Sequence, residues 1–255
     1  MKSKPFIDHL SYSATRSFMT SPLKFWKEYV IREEFKPNLT VFMGQCWHKG
    51  LEYFLLSGDT DLKKIEEFFN KGKVKLLERI TGEELEEMNK DLDKELKALK
   101  ENLLIYFALK IEWQSSGVVE RKISMPSPVE GGLPITGVID VVDVAGNPID
   151  HKYVSRFTTD GPDKYLVQAW FNYYLVKELT GKYPGYFRIS EFKKVPNRNK
   201  ESQLKEIIVI YEAPWMKRID QWYKEISEQI LKQIHFLPNP FSFFDNADWL
   251  EYINS

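Results

Sequence analysis

The strongest constraint on this chain is a pair of apolar segments joined by a short turn. Residues 135–144 and 149–154 are rich in β-branched side chains and flank an Ala-Gly-Asn-Pro turn, which predicts a β-hairpin. Such a hairpin carries Asp140 on its first strand, and Asp150 and Lys152 on its second. Because side chains two residues apart share a face of a strand, Asp150 and Lys152 point together.

Charged side chains in such apolar strands require a reason. An unpaired buried charge is costly, so these groups must pair, reach solvent or hold a metal ion. Carboxylates that converge on a divalent cation, with a lysine beside them, form a site for attack of water on a phosphodiester. Aspartates at strand ends are also common as turn and edge residues, and the hairpin alone does not decide between the two interpretations.

Composition limits the class of protein. The 255 residues are 43% hydrophobic and 15% aromatic, which favours a packed globule. The 36 basic and 37 acidic residues nearly cancel, so a nucleic acid would have to be bound in a local groove. One cysteine, Cys46, excludes an intrachain disulfide and a four-cysteine metal site supplied by this chain. Neither a signal peptide nor a long apolar run is present, so we expect a soluble, cytoplasmic protein, in the host cytoplasm if it is viral.

Helical patterns lie on both sides of the hairpin. Ser21 followed by Pro22 is a typical helix start, and the apolar residues of 83–113 recur at spacings of three and four. We interpret 61–113 as a helical insert or arch between His48 and the sheet. Helices are predicted to about Thr20 and at 21–30, 43–56, 61–80, 83–113, 163–180 and 215–235, and further strands at 118–125, 185–193 and 206–212.

Several polar residues in these elements permit two interpretations. His48 lies among apolar side chains, where a histidine is more often a hydrogen-bonded core residue than a ligand. Glu120 can face the site or solvent. Gln168 and Asn172 share one helix stripe, which is either inert or directed into a cleft. Basic side chains that can contact a nucleic-acid backbone, or can simply be solvated, are Arg16, Lys24, Lys193, Lys194 and Arg198.

Taken in order, the segments resemble the RecB-like branch of the PD-(D/E)XK nuclease superfamily, which includes CRISPR-associated nucleases. The resemblance covers most of the chain. The segments that carry it are LSYSATRSF from Leu10, SPLKF from Ser21, GQCWHKGLE from Gly44, GVID from Gly137, IDHK from Ile149 and QAWFNY from Gln168.

The resemblance implies an α/β fold with a mixed central sheet flanked by helices, and with the helical insert forming a wall or arch over a cleft. It also implies one or two Mg²⁺ or Mn²⁺ ions held by His48, Asp140, Asp150 and the backbone carbonyl of His151. Two ions roughly 4 Å apart would stabilise the attacking and the leaving oxygen.

Two further roles follow from the resemblance. Lys152 would orient or activate the attacking water and offset charge on the phosphate. Gln168 would position Lys152 or the scissile strand. The family usually has tyrosine four residues after this glutamine, whereas this chain has Asn172 there and Tyr173 next, so the face that contacts nucleic acid differs.

A second departure concerns an iron–sulfur cluster. Many relatives hold one with four cysteines, and the matching places here are not cysteines, so we expect no cluster. We expect apolar packing of the tail on the first helices in its place. The four places are Ser21, Phe241, Phe244 and Leu250.

We therefore expect one nuclease domain over 1–255, with a helical part and arch at about 10–115, a sheet core at about 118–212 and a C-terminal helix and tail at 213–255. The expected activity is that of a metal-dependent DNA exonuclease acting on ends or single strands in replication, recombination or repair, in a virus or mobile element. The alternatives are a CRISPR-adaptation nuclease and a catalytically inactive DNA-binding subunit.

Overall fold

The computed structural model of the protein describes residues 7–33, 39–58, 60–78, 83–109, 115–196 and 202–232. Its five strands form one mixed sheet in the order β1 to β5. The strands are β1 (Ser115–Met125), β2 (Ile135–Asp143), β3 (Pro148–Val154), β4 (Tyr186–Lys193) and β5 (Leu204–Ile210). The α-helices are α1 (Tyr12–Thr20), α2 (Pro22–Phe25), α3 (Leu39–Ser57), α4 (Lys63–Leu77), α5 (Glu83–Ala108), α6 (Leu166–Thr180) and α7 (Ala213–Lys232).

The predicted hairpin is confirmed as β2 and β3, and its turn is fixed by hydrogen bonds. The backbone N–H of Gly146 donates to the carbonyl of Asp143 at 2.9 Å, and Gly146 has a φ of +88°, which favours glycine. The backbone N–H of Asn147 donates to the Asp143 carboxylate at 2.8 Å. The Asn147 side-chain oxygen then accepts from the N–H of Gly185 at 2.8 Å, which ties the turn to the start of β4.

The ladder between β2 and β3 is short. Its register pairs are Val141 with Ile149 and Val142 with Pro148, so it stops one residue before Asp140. On its other edge, β3 pairs in parallel with β4 from Ile149 to Val154. The place where the β2–β3 ladder ends is called the hairpin gap below, and Asp140 and Asp150 lie at it.

One side of the sheet packs on α6. Trp170, Phe171 and Leu175 are buried there with strand residues such as Ile139. Gly137 permits close packing, because a Cβ at this position would lie 2.6 Å from Leu175 Cδ1. This contact positions α6, and therefore Gln168, relative to β2.

Helices α3, α4 and α5 form a second apolar cluster, called the helical wall. Gly50 allows α3 to approach α5, since a Cβ there would lie 2.7 Å from Leu103. The wall contacts the sheet through Trp47, which stacks on Tyr153 at 4.7 Å and on Phe192 at 5.0 Å between ring centroids. Other buried members are Phe42, Met43, Cys46, Leu51, Ile65, Phe69, Leu76, Leu92, Leu99 and Tyr106.

Most predicted elements are present with shifted ends. Ser21 caps α2, as the Ser21-Pro22 pair indicated, and Ser11 caps α1. Residues Trp26–Val30 continue from α2 as a π-helical turn. The helix predicted from 163 begins with a 3₁₀ turn at Pro162–Tyr165 and becomes α-helical at Leu166. The predicted tail packing, with Phe241, Phe244 and Leu250, lies outside the described residues.

Among the residues that the structure describes, none of the helices is both long enough and apolar enough to span a membrane.

Candidate metal and catalytic site

Three side chains from three elements meet beside the hairpin gap. His48 comes from α3, Glu120 from β1 and Asp140 from β2. The His48 Nδ1 atom lies 3.3 Å from Asp140 Oδ2 and 3.4 Å from Glu120 Oε1. One ligand atom from each residue lies within 4.8 Å of the other two, which is close enough for all three to share one cation.

The helical wall determines where His48 lies. Trp47, the preceding residue, is fully buried and stacked on two aromatic rings of β3 and β4. A residue next to a fixed aromatic on a helix has little freedom to move away. His48 is only half-buried and faces the acidic groups of Asp140 and Glu120.

Asp150 makes different contacts. Its Oδ2 atom lies 2.7 Å from Lys152 Nζ, and its Oδ1 atom accepts a hydrogen bond from Gln168 Nε2 at 2.6 Å. The shared strand face of Asp150 and Lys152 is therefore confirmed. Gln168, which is expected to position Lys152 or the scissile strand, contacts the carboxylate that pairs with Lys152.

The backbone of β3 also takes part. The N–H of His151 donates to Asp140 Oδ2 at 2.8 Å, where a ladder hydrogen bond to β2 would otherwise be. This bond holds the Asp140 carboxylate across the hairpin gap. It also brings the His151 backbone close to the carboxylates, as a backbone ligand would require.

The charges of the site shift the pKa values of its members. Burial, together with the charge of Asp150, raises the pKa of Asp140 to about 7. Burial by itself would lower the pKa of His48, but the nearby carboxylates, Asp140 first, outweigh it and raise this pKa to about 9. Burial likewise acts to lower the pKa of Lys152, and the charge of Asp150 outweighs it, so this pKa is raised.

These shifts show that the site favours added positive charge. The site holds the carboxylates of Glu120, Asp140 and Asp150 but one ammonium group, that of Lys152, and this excess of negative charge contributes to the raised pKa values of Asp140 and His48. An imidazole and carboxylate oxygens are a suitable ligand set for Mn²⁺, and the carboxylates also suit Mg²⁺. The residues present therefore fit a divalent cation.

The predicted nucleic-acid contacts are spread over other surfaces. Arg16 is exposed on α1. The Lys24 Nζ atom lies 3.7 Å from Glu28 Oε1. The Asn172 side chain donates to the carbonyl of Gln168 on its own helix, and the Tyr173 ring stacks on Tyr183 at 4.6 Å. Lys193 and Lys194 are half-buried at the end of β4, with the Lys194 ammonium 5.1 Å from the Tyr153 ring centre, and Arg198 lies outside the described residues.

Sequence reasoning left Glu120 undecided and missed Glu191. Glu191 is 1% exposed on β4 and accepts from the Thr158 backbone N–H at 2.9 Å and the Tyr165 hydroxyl at 2.6 Å. These bonds fix the segment between β3 and α6, which leads to Gln168. The available signal was a carboxylate next to the apolar residues of the strand predicted at 185–193.

Comparison with known proteins identifies the family. A family model described as the PD-(D/E)XK nuclease superfamily matches residues 9–243. The chain belongs to this nuclease superfamily. A solved structure from Eubacterium rectale, named "Putative exonuclease", is similar with a TM-score of 0.59 and 12% identity, over 94% of this chain and 88% of that one. The comparison with curated proteins gives no match.

Membership of this superfamily confirms the expected fold class. Proteins of the superfamily are nucleases that use divalent metal ions, so the chain is assigned as a metal-dependent nuclease with a nucleic-acid substrate. The single cysteine, Cys46, is buried and cannot supply the four thiolates of an iron–sulfur cluster.

Proposed function

We propose that this chain is a deoxyribonuclease of the RecB-like branch that degrades DNA from ends or as single strands. One observation carries the proposal. His48 from α3, Asp140 from β2, and Asp150 and Lys152 from β3 meet at the hairpin gap. Two acids and a lysine in this arrangement supply what phosphodiester hydrolysis requires.

We assign a role to each group. His48, Asp140, Asp150 and the His151 carbonyl would hold one or two Mg²⁺ or Mn²⁺ ions, which when bound supply Lewis acidity and lower the pKa of water. Lys152, with its pKa raised, stays an ammonium group at neutral pH and orients water toward the phosphate while it offsets negative charge. Gln168 fixes the orientation of Asp150.

Two features support exonuclease action in particular. The helical wall stands next to the site and can form one side of a channel for a DNA end. The similar Eubacterium rectale protein carries an exonuclease name. We further propose that residues 1–255 act as one domain in replication, recombination or repair, and that Lys193 and Lys194 contact the DNA backbone.

The test is digestion of end-labelled DNA in Mg²⁺ or Mn²⁺. Linear single-stranded and linear duplex DNA are compared with the corresponding circles and with RNA of the same sequence. Wild type is compared with Asp150→Asn and Lys152→Ala, and the matched controls are Glu228→Gln and Lys232→Ala, which change an exposed ion pair on α7.

We expect linear DNA to be shortened from its ends, circular DNA to stay intact, and both site variants to be inactive while the controls cut normally. Cutting of circles would replace the exonuclease assignment with an endonuclease one. Undiminished cutting by Asp150→Asn and Lys152→Ala would refute the site, and a lack of cutting by wild type would favour a DNA-binding subunit.

A further inference from the structure

Glu120 on β1 and Asp140 on the neighbouring strand β2 lie at the same level of the sheet. Val119 pairs with Val141 and Arg121 pairs with Ile139, so Glu120 occupies the place in β1 between these two pairs, as Asp140 does in β2. Like charges directly opposite each other on neighbouring strands destabilise a sheet. A chain that keeps two carboxylates in this arrangement requires a compensating positive group between them.

The backbone of β1 directs Glu120 toward His48. The φ angle of Glu120 is +48°, a left-handed conformation that is unfavourable for a residue with a Cβ. A local irregularity of this kind changes the direction of a strand side chain. The result is the contact of Glu120 Oε1 with His48 Nδ1 at 3.4 Å.

The two halves of the site differ in how their charges are compensated. Asp150 has the Lys152 ammonium at 2.7 Å and the Gln168 amide at 2.6 Å. His48, Glu120 and Asp140 form a group whose ligand atoms all lie within 4.8 Å. Both His48 and Glu120 are partly open to solvent, with side chains 31% and 25% exposed, so an ion can reach them.

We propose that Glu120 is a ligand to a divalent cation that it holds together with His48 and Asp140, at a position distinct from the Asp150–Lys152 pair. The proposal deepens the proposed function and rests on the metal dependence of the nuclease. Asp140, which lies between the two groups, is shared by both positions. Glu120 therefore adds a ligand from β1 to the set supplied by the hairpin and α3.

The test is Mn²⁺ binding without DNA, measured by the loss of the electron paramagnetic resonance signal of free Mn²⁺. Glu120→Gln keeps the shape of the side chain and removes its charge. Glu120→Asp keeps the charge on a shorter side chain. The matched control is Glu130→Gln, an exposed residue of the connection between β1 and β2. Far-UV circular dichroism of each variant in EDTA checks that it is folded.

We expect Glu120→Gln to weaken Mn²⁺ binding by about tenfold or more, Glu120→Asp to bind with intermediate affinity and Glu130→Gln to bind as wild type. Folded Glu120→Gln with wild-type affinity would overturn the proposal, even if wild type degrades DNA. If Glu120→Gln binds weakly but wild type degrades no nucleic acid, the ligand assignment stands and the nuclease proposal fails. If Glu120→Gln does not fold, wild-type affinity in Glu120→Asp overturns the proposal and weakened affinity supports it.

Discussion

The helical wall and the sheet with α6 contribute to the site in different ways. The sheet half supplies Asp140, Asp150 and Lys152 from strands fixed by backbone hydrogen bonds, and α6 adds Gln168. The wall supplies His48, whose position depends on stacking of aromatic rings. Loss of wall packing should therefore affect cation binding, while loss of the Lys152 ammonium on β3 should affect the chemical step.

The largest expected effect tests the wall. Trp47→Ala removes the ring that stacks on Tyr153 and Phe192 and leaves a cavity, so we expect the free energy of unfolding to fall by about 3–5 kcal/mol. Urea unfolding followed by circular dichroism measures this change. Mn²⁺ binding should weaken as well, because His48 follows Trp47.

Trp47→Phe is the control for this change, since it keeps an aromatic ring in the same place. We expect it to retain most of the stability that Trp47→Ala loses. If Trp47→Ala unfolds at the wild-type urea concentration and binds Mn²⁺ normally, the wall does not position His48.

The next effect tests the sheet half. Lys152→Ala removes the positive group beside Asp150, so we expect the rate of DNA cleavage to fall by about 10²–10³-fold. Mn²⁺ affinity should be at least that of wild type, because a competing cation has been removed. Single-turnover cleavage measures the rate of the chemical step, and Mn²⁺ titration of the same preparation measures cation affinity. If Lys152→Ala lowers both to a similar extent, the sheet half and the helical wall do not have separate roles.

A smaller effect is expected at α6. Gln168→Ala removes the hydrogen bond to Asp150 but leaves the ion pair with Lys152, so we expect a fall in cleavage rate of about 10- to 100-fold. Asn172→Ala, one turn further along α6, serves as the comparison. If Asn172→Ala is the more damaging change, the contact of Gln168 with Asp150 is not what matters on this helix.

The smallest effect concerns the buried thiol of the wall. Burial raises the pKa of Cys46 to about 12, so at pH 8 only about one molecule in 10⁴ is a thiolate. The native protein should react very slowly with a thiol-specific chromogenic disulfide, and the rate should increase as the pH rises. The reaction should become rapid once urea unfolds the helical wall. Rapid labelling of the native protein at pH 8 would show that the wall opens readily.

The sequence predicted the helices and strands better than the side-chain contacts between them. The hairpin and the helices followed from side-chain periodicity and turn residues, which are local signals. The side of β1 on which Glu120 lies was left open, because the strand pattern does not reveal a residue with a positive φ. The contacts of Glu191 with Thr158 and Tyr165 were missed because they join residues 33 and 26 positions apart.

The sequence by itself therefore determined the fold class, the hairpin with its two aspartates, and the shared strand face of Asp150 and Lys152. Only the tertiary structure decided that the β2–β3 ladder stops before Asp140, that Trp47 directs His48 to the hairpin gap, and that Glu120 joins it. The physical reason is that periodicity fixes which face a side chain takes within one element. The distance between charges on different elements depends instead on how those elements pack.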